Sequence, residues 1–500
     1  MFLLLLAIIT GVIVAALHAH AAHARRNDGI PTIPLYTNLI SILRGETRND
    51  FYERNLKCHL HGSGVVRTWL AGHWSLVITD PDLLVEVFKN EQIYSKAGFI
   101  VKAPRTMFGQ LFGINIGDSH GDEWKLFRTY MKPGLQDRPA DYQALSDISN
   151  RFIDVLLSEQ RALPRGGYLA CDDIAKRWSI DGVGHHFFNT DFQALTDCNS
   201  VILKLWKSVL STSPTPLRST FPTLEDLDLL SSSGRKKHEA VRDFHQYLVE
   251  VSEKHPAVEK NYLQDALKRC CVSEGLRIGY LDGKLSKYQL SCNLAVTFIN
   301  GHENILSLTK SAIWELGKRP DLQAALRSEV LAIKPKTKTE LHSMPFLASV
   351  VFEIGRLYPP LSQLANRIAV EPALLGGKYP ISMGQWIGWN AYGVHTSAAI
   401  WGPDALEFKP ERWGCNMESI DKKFRRCQSN CTYITWNAHA RKCLGISFAL
   451  LQCKLVLCEM VKRISWSVDP AYKYTTQHGS VLSPRNAPMV FKEIDKANTG

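Results

Sequence analysis

Trp436-Asn437-Ala438-His439-Ala440-Arg441-Lys442-Cys443-Leu444-Gly445 is the stretch whose reading decides what this chain is. It runs into an apolar periodic pattern over 446–464 that predicts a long helix. A cysteine at a helix start faces unpaired backbone N–H groups and the positive end of the helix dipole, and both favour a thiolate. Gly445 lets the backbone come close to a flat ligand. Arg441 is placed to reach a carboxylate through a charge-assisted hydrogen bond. A lone cysteine before a helix is otherwise an ordinary packing residue, so the segment needs support from the rest of the chain.

Three other segments supply it. Phe352-Glu353-Ile354-Gly355-Arg356 puts an acid and a base on one helix face; taken alone it reads as a surface ion pair worth about 0.3–0.5 kcal/mol. Leu357-Tyr358-Pro359-Pro360 follows it, and Pro410-Glu411-Arg412-Trp413 comes later. Upstream stands Trp124-Lys125-Leu126-Phe127-Arg128. Periodicity predicts helices over 140–160, 235–254, 286–318, 321–334 and 346–357, besides the one over 446–464. Short strands are expected near 65–79 and 364–389, with turns at Gly376-Gly377 and Met383-Gly384, and 213–222 reads as a proline-rich loop. No repeat or low-complexity linker interrupts the chain beyond residue 35. The fold class expected is mainly α with small β-sheets.

In this order, from 124 to 445, the motifs resemble those of the cytochrome P450 family. The resemblance implies the α-rich triangular-prism P450 fold and a haem b (iron protoporphyrin IX) whose iron takes Cys443 as axial ligand. A cysteine thiolate in that position pushes electron density toward O–O cleavage. Glu353, Arg356 and Arg412 would form the buried ionic triad supporting the haem loop. Trp124, Arg128, Arg441 and Arg367 would meet the propionates, Trp436 would shield the sulfur, and Gly445 would face the macrocycle.

Two places depart from the family pattern. In the haem loop, Trp436 replaces a phenylalanine and His439 replaces a glycine; histidine is among the residues that tolerate a left-handed backbone best. In the 286–318 helix, Ile299-Asn300-Gly301-His302-Glu303-Asn304 aligns with the family's oxygen-binding segment. There Gly301 would open the helix over the haem and Glu303 would be the acid of an acid–alcohol pair. The alcohol position holds Asn304, whose amide donates a hydrogen bond but relays protons poorly. Gly301-His302-Glu303-Asn304, with Ile30-Pro31-Thr32-Ile33-Pro34 and Lys132-Pro133-Gly134-Leu135, resembles the fungal dityrosine-forming branch of the family, with relatives in fungal secondary metabolism. That branch implies coupling of tyrosine-derived phenols, with hydroxylation as the other outcome.

The amino terminus bounds where this chemistry would happen. Phe2 to Ala24 carries no formal charge and is rich in aliphatic residues, long enough for the roughly 20 residues a bilayer core needs. Arg25-Arg26 follow it and favour a cytosolic position for the rest. His18, His20 and His23 read as interfacial residues rather than a metal site. The domains expected are an anchor over 1–24, a basic and proline-rich linker over 25–45, and a haem-thiolate domain over 46–500. The resemblance adds the cytosolic face of the endoplasmic reticulum.

An apolar fraction of 45% and a net charge of +11 describe a globular chain with a large core. The basic clusters lack the aromatic interleaving of a nucleic-acid surface. Lys125, Lys132, Arg441, Lys442 and the 422–426 cluster are the candidate docking face for a NADPH-cytochrome P450 reductase, which the resemblance implies together with O2 and a small hydrophobic substrate. The 12 cysteines show no disulfide framework, and neither Cys270-Cys271 nor Cys427 with Cys431 finds a second half for a metal site. Two rival readings stay open: a peroxide-rearranging or dehydrating haem enzyme that needs no reductase, suggested by Asn304, and a degenerate haem-binding protein, suggested by His439 and Trp436.

Overall fold

The protein is seen in a computed structural model that describes residues 28–494, except 136–140, 229–230, 256–264, 266, 268–269 and 477–480. The anchor expected at Phe2 to Ala24 lies outside the described residues. Among those described, no helix is long and apolar enough to cross a membrane.

The architecture grows around one helix, α10 (Lys287–Gly317). Ser286 opens it with a capping box, accepting from the Gln289 N–H at 3.1 Å while the Gln289 side chain accepts from the Ser286 N–H. Around α10 pack α3 (Met107–Phe112), α6 (Asp172–Phe188), α8 (Ser232–Glu253), α9 (Val272–Leu281), α12 (Pro345–Leu357) and α14 (Ile446–Arg463). Outside these lie α4 (Gly121–Met131), α5 (Asp141–Ala162), α7 (Val201–Ser211) and α11 (Pro320–Ile333). One continuous apolar cluster, with Trp178, Phe298, Ile313 and Leu455 fully buried, fills the space between them. The six helices expected from periodicity are all present, and within three residues of the expected bounds.

The β-part is a separate lobe. Its five-stranded sheet has the order β1 (Val65–Leu70), β2 (His73–Ile78), β8 (Trp386–Asn390), β5 (Gln363–Ala369), β3 (Tyr94–Lys96). Only the β2–β8 pairing is parallel. Gly388 sits where a side chain would strike the Leu364 carbonyl, so the bulge in β5 requires a glycine opposite it. A three-stranded sheet, β4 (Leu169–Ala170), β10 (Pro488–Glu493) and β9 (Ile464–Val468), and the β6–β7 hairpin (Ala373–Leu375, Tyr379–Ile381) complete the strands.

Two expectations change. The stretch read as a linker is tied to the body: the Ile33 N–H donates to the Arg67 carbonyl at 2.8 Å, and Leu35–Leu43 is a helix, α1. Pro34 ends the extended piece, and the nine residues after it contain no proline, which leaves that helix free to form. The segment read as a loop over 213–222 holds a short helix, Pro216–Thr220, started by the Thr215 side chain.

Candidate haem site

The cysteine loop is closed by its own backbone: the Cys443 N–H donates to the Trp436 carbonyl at 2.8 Å. Between these ends Asn437 (φ 58°) and His439 (φ 53°) are left-handed. The strain is met with a partner, since His439 Nε2 lies 3.8 Å from the Cys431 thiol. Gly445 then caps α14. The Cys443 side chain is solvent-accessible yet strongly desolvated by the protein around it, so it stands in a recess. Burial pushes its thiol up, against the Gly445 N–H and the Lys442 ammonium, which pull it down. In the chain by itself desolvation therefore outweighs the helix start. A coordinated metal reverses that order by deprotonating the thiol outright.

The long helix α10 is buried at every position from Leu290 to Gly317 except Asn300, Glu303 and Asn304. These share one helix face and form a polar window. Gly301 packs behind it: a Cβ there would stand 3.0 Å from Phe187 and Val183 of α6. Phe187 in turn rests on Phe448, in the first turn of α14, at 4.5 Å between ring centroids. The window is thereby level with the Cys443 end of α14. The helix is continuous through Gly301, where a side chain would press against α6. Asn304 donates to the Asn300 carbonyl at 3.2 Å. Burial raises the Glu303 carboxyl, but His302, Lys176 and Lys310 outweigh it and hold the group below its ordinary value.

The cations converge at the β-lobe side. Both Arg128 (5.4 Å) and Arg441 (4.5 Å) lie over the Trp124 ring. Arg441 reaches Glu91 at 3.0 Å and the Ser119 carbonyl. Arg367 is fully buried and donates to the Tyr94 carbonyl at 2.8 Å. Its neighbour across the β3–β5 pairing is Lys96, a buried amine that sequence reasoning missed. Burial lowers Lys96 well below the ordinary lysine range, and Arg367 and Arg441 add to that. Both of those guanidiniums are pushed down to about 10 by burial. No motif spacing marks Lys96; only strand register brings it in.

A haem fits these residues. Arg128 Nε, Arg367 Nε and Nη2, and Arg441 Nη1 are buried without hydrogen-bond partners. Buried donors are almost always satisfied, so a set of unpaired guanidinium nitrogens calls for an anion such as a pair of carboxylates. A Cβ added to Gly445 would meet nothing within 4 Å, so a flat group has room beside the accessible thiol.

The proposed support beneath the loop is assembled. Arg356 makes a fork with Glu353 at 2.9 and 2.8 Å and donates to the His395, Ala405 and Glu407 carbonyls. Arg412 reaches Glu353 at 3.3 Å, and the Trp413 indole donates to the same carboxylate at 3.0 Å. Of the candidate docking residues, Lys125, Lys132, Lys422, Arg425 and Arg426 are exposed. Arg441 is withdrawn from that face, because its guanidinium is buried against Trp124. Among the described residues, His255, Cys271 and Glu274 also lie together; here Glu274 caps α9 through the Cys271 N–H at 2.8 Å and pairs with His255 at 3.2 Å.

Comparison with known proteins agrees with this geometry. The sequence profile of the cytochrome P450 family matches residues 28–490. Cytochrome P450 monooxygenase xanG of Aspergillus fumigatus is 40% identical over 453 residues, covering 89% of this chain and 83% of that protein. Cytochrome P450-DIT2 of Saccharomyces cerevisiae is 28% identical over 472 residues, covering 93% of each. Mouse cytochrome P450 3A13 is 23% identical over 96% of this chain. With a family profile that spans most of the chain and a relative named as a monooxygenase, this chain belongs to the cytochrome P450 family of oxidoreductases, which bind haem through a cysteine thiolate and use O2, a substrate and a redox partner.

Proposed function

We propose that this enzyme oxidises a small aromatic metabolite, a tyrosine-derived phenol being the best candidate, in fungal specialised metabolism, with Cys443 as the iron ligand. The observation that carries the reading is the accessible Cys443 thiol at the start of α14, beside buried guanidinium nitrogens that have no partner. Haem bound there supplies O2 activation, with electrons delivered from outside the chain by an NADPH-cytochrome P450 reductase.

The chain's own groups do the rest. Arg128, Arg367 and Arg441 pair the cofactor's carboxylates, with Lys96 beside them, and two of the three guanidiniums lie over the Trp124 ring. Trp436 closes the loop over the sulfur through its carbonyl. Glu353, Arg356 and Arg412 hold the loop's underside. Glu303 keeps a fixed charge in the window beside Asn304. Asn304 has its amide tied to the Asn300 carbonyl and no hydroxyl with which to pass a proton, so the protons for O2 activation come by way of water or a hydroxyl of the substrate, which a phenol supplies. Residues 2–24 would anchor the enzyme in the endoplasmic reticulum with its catalytic body in the cytosol, and Lys125, Lys132, Lys442 and the 422–426 cluster remain as reductase contacts.

The test is a reaction of purified enzyme with NADPH, reductase, isotopically labelled O2 and a tyrosine-derived phenol. A coupled product free of label is expected. Labelled product replaces coupling by hydroxylation. Turnover with peroxide alone, and none with NADPH and reductase, favours the rearranging class instead.

A further inference from the structure

The polar window in α10 asks for a specific occupant. In a helix buried on all sides, the exposed position is filled by asparagine, a poor helix former relative to alanine. The Asn300 carboxamide has no hydrogen-bond partner among the described residues, although one turn later Asn304 is tied back to the Asn300 carbonyl. Asn300 therefore offers one donor group and one acceptor group to whatever lies against the window. Gly301, packed on Phe187, fixes the helix and with it the direction of this side chain.

The neighbours narrow the ligand's chemistry. Glu303, on the same face, is held ionised by His302, Lys176 and Lys310, so an anionic group would be repelled. A neutral group that both donates and accepts suits a carboxamide best.

We infer that Asn300 is the specificity-determining residue of this site: its carboxamide hydrogen-bonds a neutral hydroxyl or amide of the substrate and so fixes which part of the molecule faces Cys443. This deepens the proposed oxidation of a small aromatic metabolite and rests on that reading. A hydrogen bond at a window of this kind discriminates by about tenfold, and by more where the apolar analogue leaves the carboxamide without a partner.

The experiment compares matched probes that differ by one polar group: 4-propylphenol against propylbenzene, and 3-phenylpropanamide against butylbenzene. Each is titrated into the haem-loaded, full-length enzyme by absorbance, and again by calorimetry. The wild type is expected to bind the phenol or the amide at least tenfold more tightly than its apolar counterpart. Asn300→Ala should abolish that preference by raising the Kd of the polar member alone, and Asn300→Gln should restore part of it. In turnover of the phenol, Asn300→Ala should raise KM more than it lowers kcat. A preference unchanged by Asn300→Ala, a wild type with no preference, or no binding of any probe overturns the assignment. Calorimetry needs no pigment, so failed haem uptake counts against Cys443 as ligand and leaves the Asn300 result to be judged separately.

Discussion

At residue scale the unusual side chains of the haem loop are accommodated rather than tolerated at random. His439 holds φ at 53°, a region that costs a residue with a Cβ about 1–2 kcal/mol. It takes a place against Cys431, whose own φ is 57°. His439→Ala should keep the backbone penalty and lose the contact, while His439→Gly removes the penalty. Thermal unfolding should therefore rank the glycine variant above the alanine variant; the reverse order would mean that the Cys431 contact, not the backbone, fixes the loop. Glu353 tests a different kind of dependence. It is fully buried and receives Arg356, Arg412, the Trp413 indole and the Lys409 N–H. Glu353→Gln leaves a buried guanidinium without its counter-charge, and denaturant unfolding should show a loss of about 3–5 kcal/mol. Both positions were legible as motif residues. Lys96 was not, because register across β3 and β5 rather than sequence spacing sets it beside Arg367.

Between elements, His395 joins three parts that the sequence keeps far apart. Its Nδ1–H donates to the Arg356 carbonyl at 3.0 Å, and its Nε2 accepts the Ile434 N–H at 2.8 Å. It thereby links α12 to the segment leading into the cysteine loop. Burial and the nearby Arg356 charge push this imidazole down to about 3. A histidine kept neutral when folded binds a proton on unfolding once the pH falls below its ordinary value near 6.5. Its contribution is thus complete above about pH 6.5 and is lost progressively as the pH falls toward 3, by about 1.4 kcal/mol per unit. His395→Gln should lower stability at neutral pH and flatten the acid side of the profile by one proton; an unchanged acid slope would place the loss elsewhere. The helices that periodicity revealed are amphipathic or long. α6 was illegible for a physical reason: it is buried on all sides, polar Arg177, Asp181 and His186 included, so no apolar stripe separates from a polar one. The departure at Asn304 was legible as a missing hydroxyl. That Asn300 is the exposed residue of a buried helix needed the packing to be seen.

Over the whole molecule, two lobes meet at the site: the helical core carries Cys443 and the window, and the β-lobe carries Arg367 and Lys96. The cations face each other across that boundary with unpaired nitrogens, so the protein without haem stores repulsion that the cofactor's carboxylates relieve. Haem binding should accordingly raise the thermal midpoint strongly. Lys96→Met should narrow the gap between the two forms, by stabilising the haem-free protein and weakening haem retention. A gap unchanged by that substitution would remove Lys96 from the cluster.

All of this depends on sulfur at position 443 holding the iron, and the absorbance of the reduced protein under carbon monoxide reports on that bond directly. The wild type should give the red-shifted band of a thiolate-ligated haem, and Cys443→Ser should lose it while keeping the helical signal of the fold. A serine variant with an unchanged band would contradict the account.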